Sequence, residues 1–349
     1  LLDEEAREAV RVAPLPGGSG GDRCRCGWLA KVVVVVVAWW TGLEHGFCGL
    51  GGHEFGGVHG GGGGETASKS ARRAAAMDRD MLKEELAPIE ARLRRNDPTH
   101  TKLMCVNMSF LDFFADEAES FFEALAKNRT VKEAHFEMSE VDDTLCRRIE
   151  RAGGESSCLE SLFVNRNKIR EDAAALLSHG NLTYLNLSNN PLSPEGLGSL
   201  GLAVSKSRNL ATLHLNEVTV TSAGGSGIVN FVEALQPGIA LRTLHLQSNG
   251  IDGPSAVRMV APLAAAGVSE LMLGKNKEIG NQGAIAFAEG IAAFEESTLA
   301  PTSPLRRLSL MHCGLSDAGA AALSRALRIP YCPLQNLNLS HNKIGEDGI

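Results

Sequence analysis

The feature that most constrains the fold of this chain is a short apolar frame that recurs along it. An apolar residue is followed by others three and five positions later, as in LTYLNLSNN from Leu182. The frame starts at Leu103, Val131, Leu159, Leu182, Leu210, Leu241, Val268, Leu305 and Leu334. Successive starts are 23 to 37 residues apart, about 29 on average, and a period of this size is typical of stacked-repeat proteins.

Each unit has two halves with different periods. The first half alternates as a strand with one buried face does, and the second half carries apolar residues at helical spacing, such as Ala320, Leu323 and Leu327. A unit this small cannot bury its apolar side alone, so neighbouring units must stack. We therefore predict an α/β solenoid of about nine repeats, with a curved parallel sheet on the concave side and helices on the convex side.

The ninth place of the unit, counting the start as the first, is often an amide side chain. Five units have Asn there: Asn167, Asn190, Asn249, Asn276 and Asn342. Because an amide both donates and accepts hydrogen bonds, it can satisfy backbone groups of the turn that leaves the strand. The other units have Leu111, Ser139, Val218 and Cys313, and we expect the first, second and fifth units to stack least regularly.

These units resemble a known repeat family. The segments LNLSNNPLSPEGL, LMHCGLSDAGAAALSRAL and LNLSHNKIGEDGI are similar to leucine-rich repeats of the ribonuclease-inhibitor subtype. The resemblance covers residues 99–349 and implies a horseshoe-shaped leucine-rich-repeat solenoid. It does not imply one activity, because the subtype occurs in ribonuclease inhibitor, cytosolic nucleotide-binding immune receptors, the Ran GTPase-activating protein and tropomodulin.

The start of the array has a second, narrower resemblance. The segments IEARLRRNDPTHTKLMCVNM and FFEALAKNRTVKEAHF are similar to the beginning of the tropomodulin repeat domain, which also opens with a helix and an Asn-Asp-Pro stop. This similarity implies actin binding as one alternative function. The actin- and tropomyosin-binding helices of tropomodulin have no counterpart upstream in this chain.

Composition changes at residue 76. Residues 1–76 contain six consecutive valines, Val32–Val37, and a glycine-dominated stretch from Gly42 to Gly64. The apolar run is about a dozen residues, which is short of the roughly 20 that a membrane span needs. We expect residues 1–76 to be a disordered leader or not to be part of the native protein, which would then start at Met77 or Met81.

Residues 77–98 are predicted to form a helical cap on the first repeat. Leu82, Leu86, Ile89 and Leu93 share one helical stripe, and such a helix would cover the apolar edge that a first repeat leaves open. The array itself is predicted to run over residues 99–349. We expect it to be truncated in the ninth repeat, because the sequence stops where the ninth helix should begin.

The charge of the chain and its use of cysteine indicate which class of partner and which cellular compartment to expect. The formal net charge of −7 lies within residues 77–349, because residues 1–76 contain equal numbers of acidic and basic side chains. A mildly acidic array does not attract phosphate backbones, so nucleic acid is not the expected partner. The eight cysteines have no paired CxxC spacing, which favours a reducing compartment, and we predict a cytoplasmic protein.

Catalytic motifs occur only in low-complexity sequence. Gly17–Gly21 fits the nucleophile-elbow pattern, yet no strand leads into it and no acid partner is placed for it. The stretch ending at Ser70 imitates a phosphate-binding loop, but Ser68 stands where a glycine is required before Lys69. We therefore predict that the protein is not an enzyme and has no cofactor.

The fifth place of each unit should point from the strand to the concave face. In order, these residues are Asn107, His135, Phe163, Asn186, His214, His245, Met272, Ser309 and Asn338. His214 and His245 are expected on adjacent strands, roughly 5 Å apart in the backbone, which is near enough to share a metal ion. Because a third carboxylate or thiolate ligand is missing, we favour a solvated or partner-contacting pair over a metal site.

The concave face is the predicted binding surface for another protein. Its candidate residues are His135, Arg166, Asn189, His214, Glu217, Arg242, His245, Lys275, Arg306, Arg307, His312 and His341. A curved sheet offers a wide, rigid surface at little ordering cost. We predict a protein-protein interaction scaffold made of a monomeric array, with no nucleic-acid or membrane partner. Replacing Arg306 and Arg307 with Glu should weaken the binding of an acidic partner.

Two other functions remain open at this point. A GTPase activator resembling the Ran-specific protein would stimulate GTP hydrolysis by a small GTPase, whereas a scaffold would leave hydrolysis unchanged. A tropomodulin-like actin-binding protein would change the elongation of filament pointed ends.

Overall fold

The apolar frame folds as predicted into one parallel sheet with helices along it. The computed structural model describes residues 33–35, 86–107, 115–152, 158–178, 180–219, 225–293, 305–329 and 332–348, all within the unit that runs from Val32 to Ile349. The nine repeat strands are β2 (Lys102–Met104), β3 (Glu133–His135), β4 (Ser161–Phe163), β5 (Tyr184–Asn186), β6 (Thr212–His214), β7 (Thr243–His245), β8 (Glu270–Met272), β9 (Arg307–Ser309) and β10 (Asn336–Asn338). They lie in sequence order, and the α/β solenoid of about nine repeats is confirmed.

The helices follow the strands one by one along the other side of the sheet. They are α1 (residues 86–95), α2 (Ala115–Lys127), α3 (Asp143–Ala152), α4 (Pro194–Lys206), α5 (Ser226–Glu233), α6 (Gly253–Ala266), α7 (Gly280–Ala292) and α8 (Asp317–Leu327). The third repeat has a 3₁₀ helix, Asp172–Ser178, instead of an α-helix, and a second short 3₁₀ helix spans Glu346–Gly348. The third repeat has the shortest step, 23 residues from Leu159 to Leu182, and a 3₁₀ helix covers more length per residue.

The ends of the array differ in what covers them. Leu86 and Leu93 of α1 are buried in the same core as the repeats, and α1 ends before Asn96. Val33–Val35 form β1, which pairs in parallel with β10. The rest of residues 1–76, the predicted start sites Met77 and Met81, and Leu82 lie outside the described residues.

The register of the sheet corrects the frame of the first repeat. Leu103 pairs with Ala134, which occupies the fourth place of its repeat, so the first repeat begins at His100 and not at Leu103. The fifth place of this repeat is therefore Met104 rather than Asn107, and Leu111 is not its ninth residue. The frame search required an apolar first residue, and the polar His100 shifted the match by three positions.

Strand residues alternate between the core and the opposite sheet face, which we call the concave face. In the fourth repeat Leu182, Leu185 and Leu187 are all buried, whereas the third- and fifth-place residues Tyr184 and Asn186 are partly exposed. The same strand alternation recurs in β4, β6, β7 and β8. Third- and fifth-place side chains of neighbouring strands therefore lie side by side on the concave face.

The ninth-place asparagines join the repeats that carry them to the repeat before. Asn276 donates from Nδ2 to the carbonyl oxygens of Leu246 (3.0 Å) and Leu273 (2.7 Å), and its Oδ1 accepts from the backbone N–H of Asn249 (2.8 Å) and Ile251 (3.2 Å). Asn167 and Asn342 make the same set of bonds. The predicted satisfaction of turn groups thus extends across the repeat boundary.

The eighth place of every repeat has left-handed backbone. Its residues, all with φ between 53° and 63°, are Asn107, Met138, Arg166, Asn189, Glu217, Ser248, Lys275, His312 and His341. This conformation turns the chain out of the strand, and the eighth-place side chains border the concave face where the strands end. None of the nine is glycine, so each repeat tolerates a conformation that side chains disfavour.

Candidate functional site

A row of five rings crosses the concave face from β3 to β7. His135, Phe163, Tyr184, His214 and His245, which we call the ring row, have successive centroid separations of 4.2, 4.8, 5.1 and 3.9 Å. The two end pairs are stacked, with ring planes 5° and 9° apart, and the two middle pairs are tilted. The row is continuous across five successive repeats.

The ring row follows from the repeat register, with one exchange of place. Four of its members occupy the fifth place, and neighbouring strands bring them side by side at close to the strand separation. In β5 the fifth place is Asn186, whose Oδ1 accepts from the backbone N–H of Ser188 (3.0 Å). Tyr184, from the third place of the same strand, fills the gap between Phe163 and His214.

The middle and far end of the ring row are uncharged at neutral pH. Burial, together with the nearby His245, lowers the pKa of His214 to about 4. Burial also lowers the pKa of His245, although the carboxylate of Glu270 acts in the opposite direction. Burial raises the pKa of the Tyr184 phenol, and the charge of Glu137 adds to this effect. The rings from Phe163 to His245 therefore present apolar and hydrogen-bonding edges rather than charge.

The first ring of the row is held by two carboxylates. His135 is only 8% exposed, and its Nε2 lies 2.6 Å from Glu133 Oε1 while its Nδ1 lies 3.4 Å from Glu137 Oε2. Glu133 also pairs with Lys102 at 2.8 Å, and hydrogen bonds from Lys102 and then His135 lower the pKa of this carboxyl group. His135 is thus a fixed end of the row with little surface for a partner.

The geometry of His214 and His245 favours a stacked pair over a metal site. Their ring planes are 9° apart, so their in-plane nitrogen lone pairs lie in separate, nearly parallel planes, whereas two ligands of one ion must point at a common centre. Across the described residues, no group of three His, Cys, Asp or Glu side chains is placed to hold a metal ion. Tyr184 Oη lies 3.4 Å from His214 Nδ1 and joins the pair to the rest of the row.

The predicted eighth-place residues form small separate contacts along the border of the concave face. Asn189 donates from Nδ2 to Glu217 Oε2 at 2.6 Å, and His312 stacks on His341 with centroids 4.3 Å apart and planes 3° apart. The exposed Arg166 lies on the same border. The predicted site is therefore not one cluster, because these residues lie beside the ring row rather than within it.

The other three predicted arginines are placed differently from one another. Arg242 donates from its guanidinium to the carbonyl oxygens of Ile239 (2.7 Å) and Leu241 (3.0 Å), so it stabilises the loop before β7. Arg307 lies 3.5 Å from Glu270 on the neighbouring strand. Arg306 is exposed at the second place, outside strand β9. Of the three, only Arg306 has a side chain without an ion pair or hydrogen bond to another described residue.

Sequence reasoning missed the most prominent members of the site. The repeat pattern predicts Phe163 on the concave face but not among the binding residues, and it does not predict Tyr184, which occupies the third place. After the frame correction, Met104 and Met272 occupy the fifth places on β2 and β8, just beyond the two ends of the ring row. Aromatic residues at the third or fifth place of successive units were the available signal.

Comparison with known proteins agrees with this repeat geometry. The family model described as Leucine Rich repeat matches residues 181–201, 303–324 and 332–349, three segments that include the strands β5, β9 and β10. These segments of the chain match leucine-rich repeats.

Its repeats are similar to those of ribonuclease inhibitor. This leucine-rich-repeat protein is 22% identical over 279 residues to the ribonuclease inhibitor of Sus scrofa, which covers 70% of this chain and 59% of the inhibitor. It is 27% identical over 188 residues to the Centrosomal protein of 78 kDa of Homo sapiens, which covers 52% of this chain. The matches span 25% of the centrosomal protein and 59% of the inhibitor, so each relative is much longer than the part it shares.

A solved tropomodulin C-terminal domain from Caenorhabditis elegans is also similar to part of this chain. The alignment has 18% identity and a TM-score of 0.35, and it covers 43% of this chain and 90% of that domain. Separately, none of the helices in the described ranges is both long and apolar enough to cross a membrane.

Proposed function

We propose that this leucine-rich-repeat protein is a protein-protein interaction scaffold that binds its partner on the concave face, with the ring row as the centre of the contact. The ring row carries the proposal, because Phe163, Tyr184, His214 and His245 place partly exposed rings on adjacent strands. Large rings with few rotatable bonds supply contact area at a low entropy cost and are enriched at interaction hot spots.

The structure around the row supports a rigid recognition surface. Each ring projects from a strand hydrogen-bonded on both sides, and the buried Asn167, Asn190 and Asn249 each donate to a carbonyl oxygen of the preceding repeat. A partner therefore meets a surface that is already ordered, and the cost of ordering side chains on binding is small. The tyrosine phenol and the imidazole edges add hydrogen-bonding groups that can give the contact specificity.

We further propose that the protein acts as a monomeric array in the cytoplasm and has no catalytic activity of its own. The cysteines within the described ranges, including the buried Cys105, Cys146 and Cys313, are free thiols. Burial raises the pKa of the Cys105 and Cys313 thiols to about 12, which leaves them unreactive. Both observations suit a reducing compartment and a structural role for these residues.

A matched pair of variants tests the proposal. In the row variant, Phe163→Thr and Tyr184→Thr remove two rings but keep residues that favour strands. In the control, Val257→Thr and Ile285→Thr remove two exposed apolar side chains from α6 and α7 on the other side of the sheet, and all residues involved are β-branched. Proteins recovered with the native array, the row variant and the control should be compared by quantitative mass spectrometry.

The decisive measurement is direct binding of a purified protein recovered in that comparison. We expect calorimetry to show binding that is at least about tenfold weaker for the row variant and unchanged for the control. Equal affinity for all three arrays would refute the concave contact. The native array should also be added to assays of GTP hydrolysis by small GTPases and of actin pointed-end elongation. A change in the first rate would indicate a GTPase activator, and a change in the second would indicate a filament-binding protein.

A further inference from the structure

A second surface lies beyond the ring row, where strands β8, β9 and β10 end. Lys275, His312 and His341 occupy the eighth place of three successive repeats, and Lys277 follows in the turn after β8. We call these four residues the basic cluster. His312 and His341 stack with parallel rings. Burial lowers the pKa of His312, and the charges of His341, Lys277 and Lys275 lower it further. His341, Lys277 and Lys275 are therefore each close enough to oppose a positive charge on His312.

Positive charge in the basic cluster is not neutralised by its surroundings. Among the described residues, no carboxylate forms an ion pair or hydrogen bond with any of its four side chains. The neighbouring Glu270 pairs with Arg307 instead. Lys275, Lys277 and His341 are exposed. This local excess of positive charge stands out in a chain whose formal net charge is −7.

The geometry of the cluster points to a row of anionic groups rather than to a single one. The backbones of its eighth-place residues are linked through adjacent repeats, because Lys275 donates its N–H to Met311 O and His312 donates its N–H to Ser340 O. Successive eighth-place residues are therefore about 5 Å apart, and three of them extend over about 10 Å. A single phosphate would need donors that converge on one point, whereas an extended peptide places like-facing side chains about 7 Å apart.

We propose that the basic cluster binds a run of Asp or Glu side chains in an extended segment of the same partner protein that contacts the ring row. This inference rests on the proposed function and adds the chemistry of one part of the partner. The acidic segment would cross the ends of β8 to β10 next to the last ring of the row, His245. The ring row supplies contact area, and the basic cluster sets the direction in which the segment lies across the repeats.

The first test uses defined peptides and the full chain. The probe is a fluorescein-labelled ten-residue peptide of alternating Glu and Ser, and its comparison peptide has Gln in place of Glu. We expect fluorescence anisotropy at low salt to show binding of the Glu peptide only, weakened as salt is raised. A third peptide, with one phosphoserine in the Gln background, tests the other source of negative charge. Binding of this peptide as tight as that of the Glu peptide would overturn the assignment to an acidic run.

Charge-matched variants locate the binding. Lys275→Gln with Lys277→Gln should weaken binding of the Glu peptide roughly fivefold. The control, Lys206→Gln with Arg325→Gln, removes the same charge from exposed positions on α4 and α8 and should leave the affinity unchanged. Equal affinity in the Lys275 and Lys277 variant and the native chain would refute the cluster. So would an equal loss in the control, because that loss would reflect net charge alone.

The outcome separates this inference from the proposed function. If proteins recovered on the array depend on Phe163 and Tyr184 but bind the Lys275 and Lys277 variant normally, the concave scaffold stands and the basic cluster is refuted. If the Glu peptide binds through Lys275 and Lys277 while no purified protein depends on the ring row, the cluster stands and the ring row is not the centre of recognition.

Discussion

The imidazole of His214 lies face to face with that of His245, with ring centroids 3.9 Å apart and ring planes 9° apart. The two residues occupy the fifth place of adjacent strands, so the repeat register alone brings them together. Protonating both rings would place two like charges in contact in a partly buried site. This pair therefore links the stability of the array to pH.

We expect the free energy of unfolding to fall as pH drops from about 6.5 towards 4. The folded pKa of His214, about 4, lies below the unfolded value near 6.5, so the unfolded chain takes up a proton that the folded chain does not. The contribution is complete above pH 6.5 and is lost as pH falls. Its slope cannot exceed about 1.4 kcal/mol per pH unit per ring, and solvent screening reduces it.

Urea unfolding of the native chain and of His214→Gln across this pH range checks the expectation. The variant should lose less stability per pH unit, because it lacks the proton uptake of His214. Some loss should remain, since other acid-sensitive groups such as Glu133 act in both proteins. Identical slopes in the two proteins would contradict the assignment. A titration of the His214 ring protons by NMR would give the folded pKa directly.

Asn276→Ala should destabilise the array by about 2–4 kcal/mol. Asn276 is fully buried, and its loss leaves the backbone N–H groups of Asn249 and Ile251 without their acceptor. Asn336→Ala, at an exposed third place, is the control and should change stability by less than about 0.5 kcal/mol. Denaturant unfolding measures both, and similar losses would show that the inter-repeat bonds contribute little.

Two glycines of α4 should respond oppositely to alanine. A Cβ on Gly201 would lie 2.8 Å from the Cβ of Ala234 and against the carbonyl oxygen of Phe231, so Gly201→Ala should cost about 1–3 kcal/mol. A Cβ on Gly198 would have no neighbour within 4 Å, and Gly198→Ala should stabilise the helix by about 0.5–1 kcal/mol. Thermal unfolding distinguishes them. A gain in both variants would mean that the contact between α4 and α5 is loose.

Met138→Asn should stabilise the protein by about 0.5–1 kcal/mol. Met138 has φ 53° and is 42% exposed, and Asn tolerates left-handed backbone better than Met does. Met104→Asn is the control, because Met104 is 49% exposed but lies in β2, where Asn is disfavoured. Chemical denaturation should show a gain for the first variant only. A gain for both would indicate that removal of exposed apolar surface, and not backbone strain, is responsible.

Much of the fold was predictable because its main signal is local and periodic. The apolar places of the frame, the helical spacing in α8 and the ninth-place asparagines can each be recognised within one unit, and repetition confirms them. The first repeat was misplaced for the same reason. The first place of this unit is the polar His100, where other units have Leu or Val, and only the pairing of Leu103 with Ala134 shows the true register.

The candidate site was predictable in outline but not in detail. Sequence reasoning placed His214 and His245 on one face, because the fifth place has one orientation in every unit. It could not place Tyr184 beside Phe163, because that contact depends on the orientation of a third-place side chain across two strands. Nor could it show that Arg242 is bonded to loop carbonyls, because every residue has a backbone carbonyl and only the loop conformation decides which of them the guanidinium reaches.

The sequence by itself determined the repeat, its period and the side of each strand that meets the core, because burial of an apolar frame depends on the spacing of residues along the chain. Only the tertiary structure decided which side chains become neighbours across repeats. The ring row, the stack of His312 on His341 and the pairing of Arg307 with Glu270 join residues 21 to 37 positions apart. These contacts depend on the register between strands and on side-chain orientation, neither of which a single unit contains.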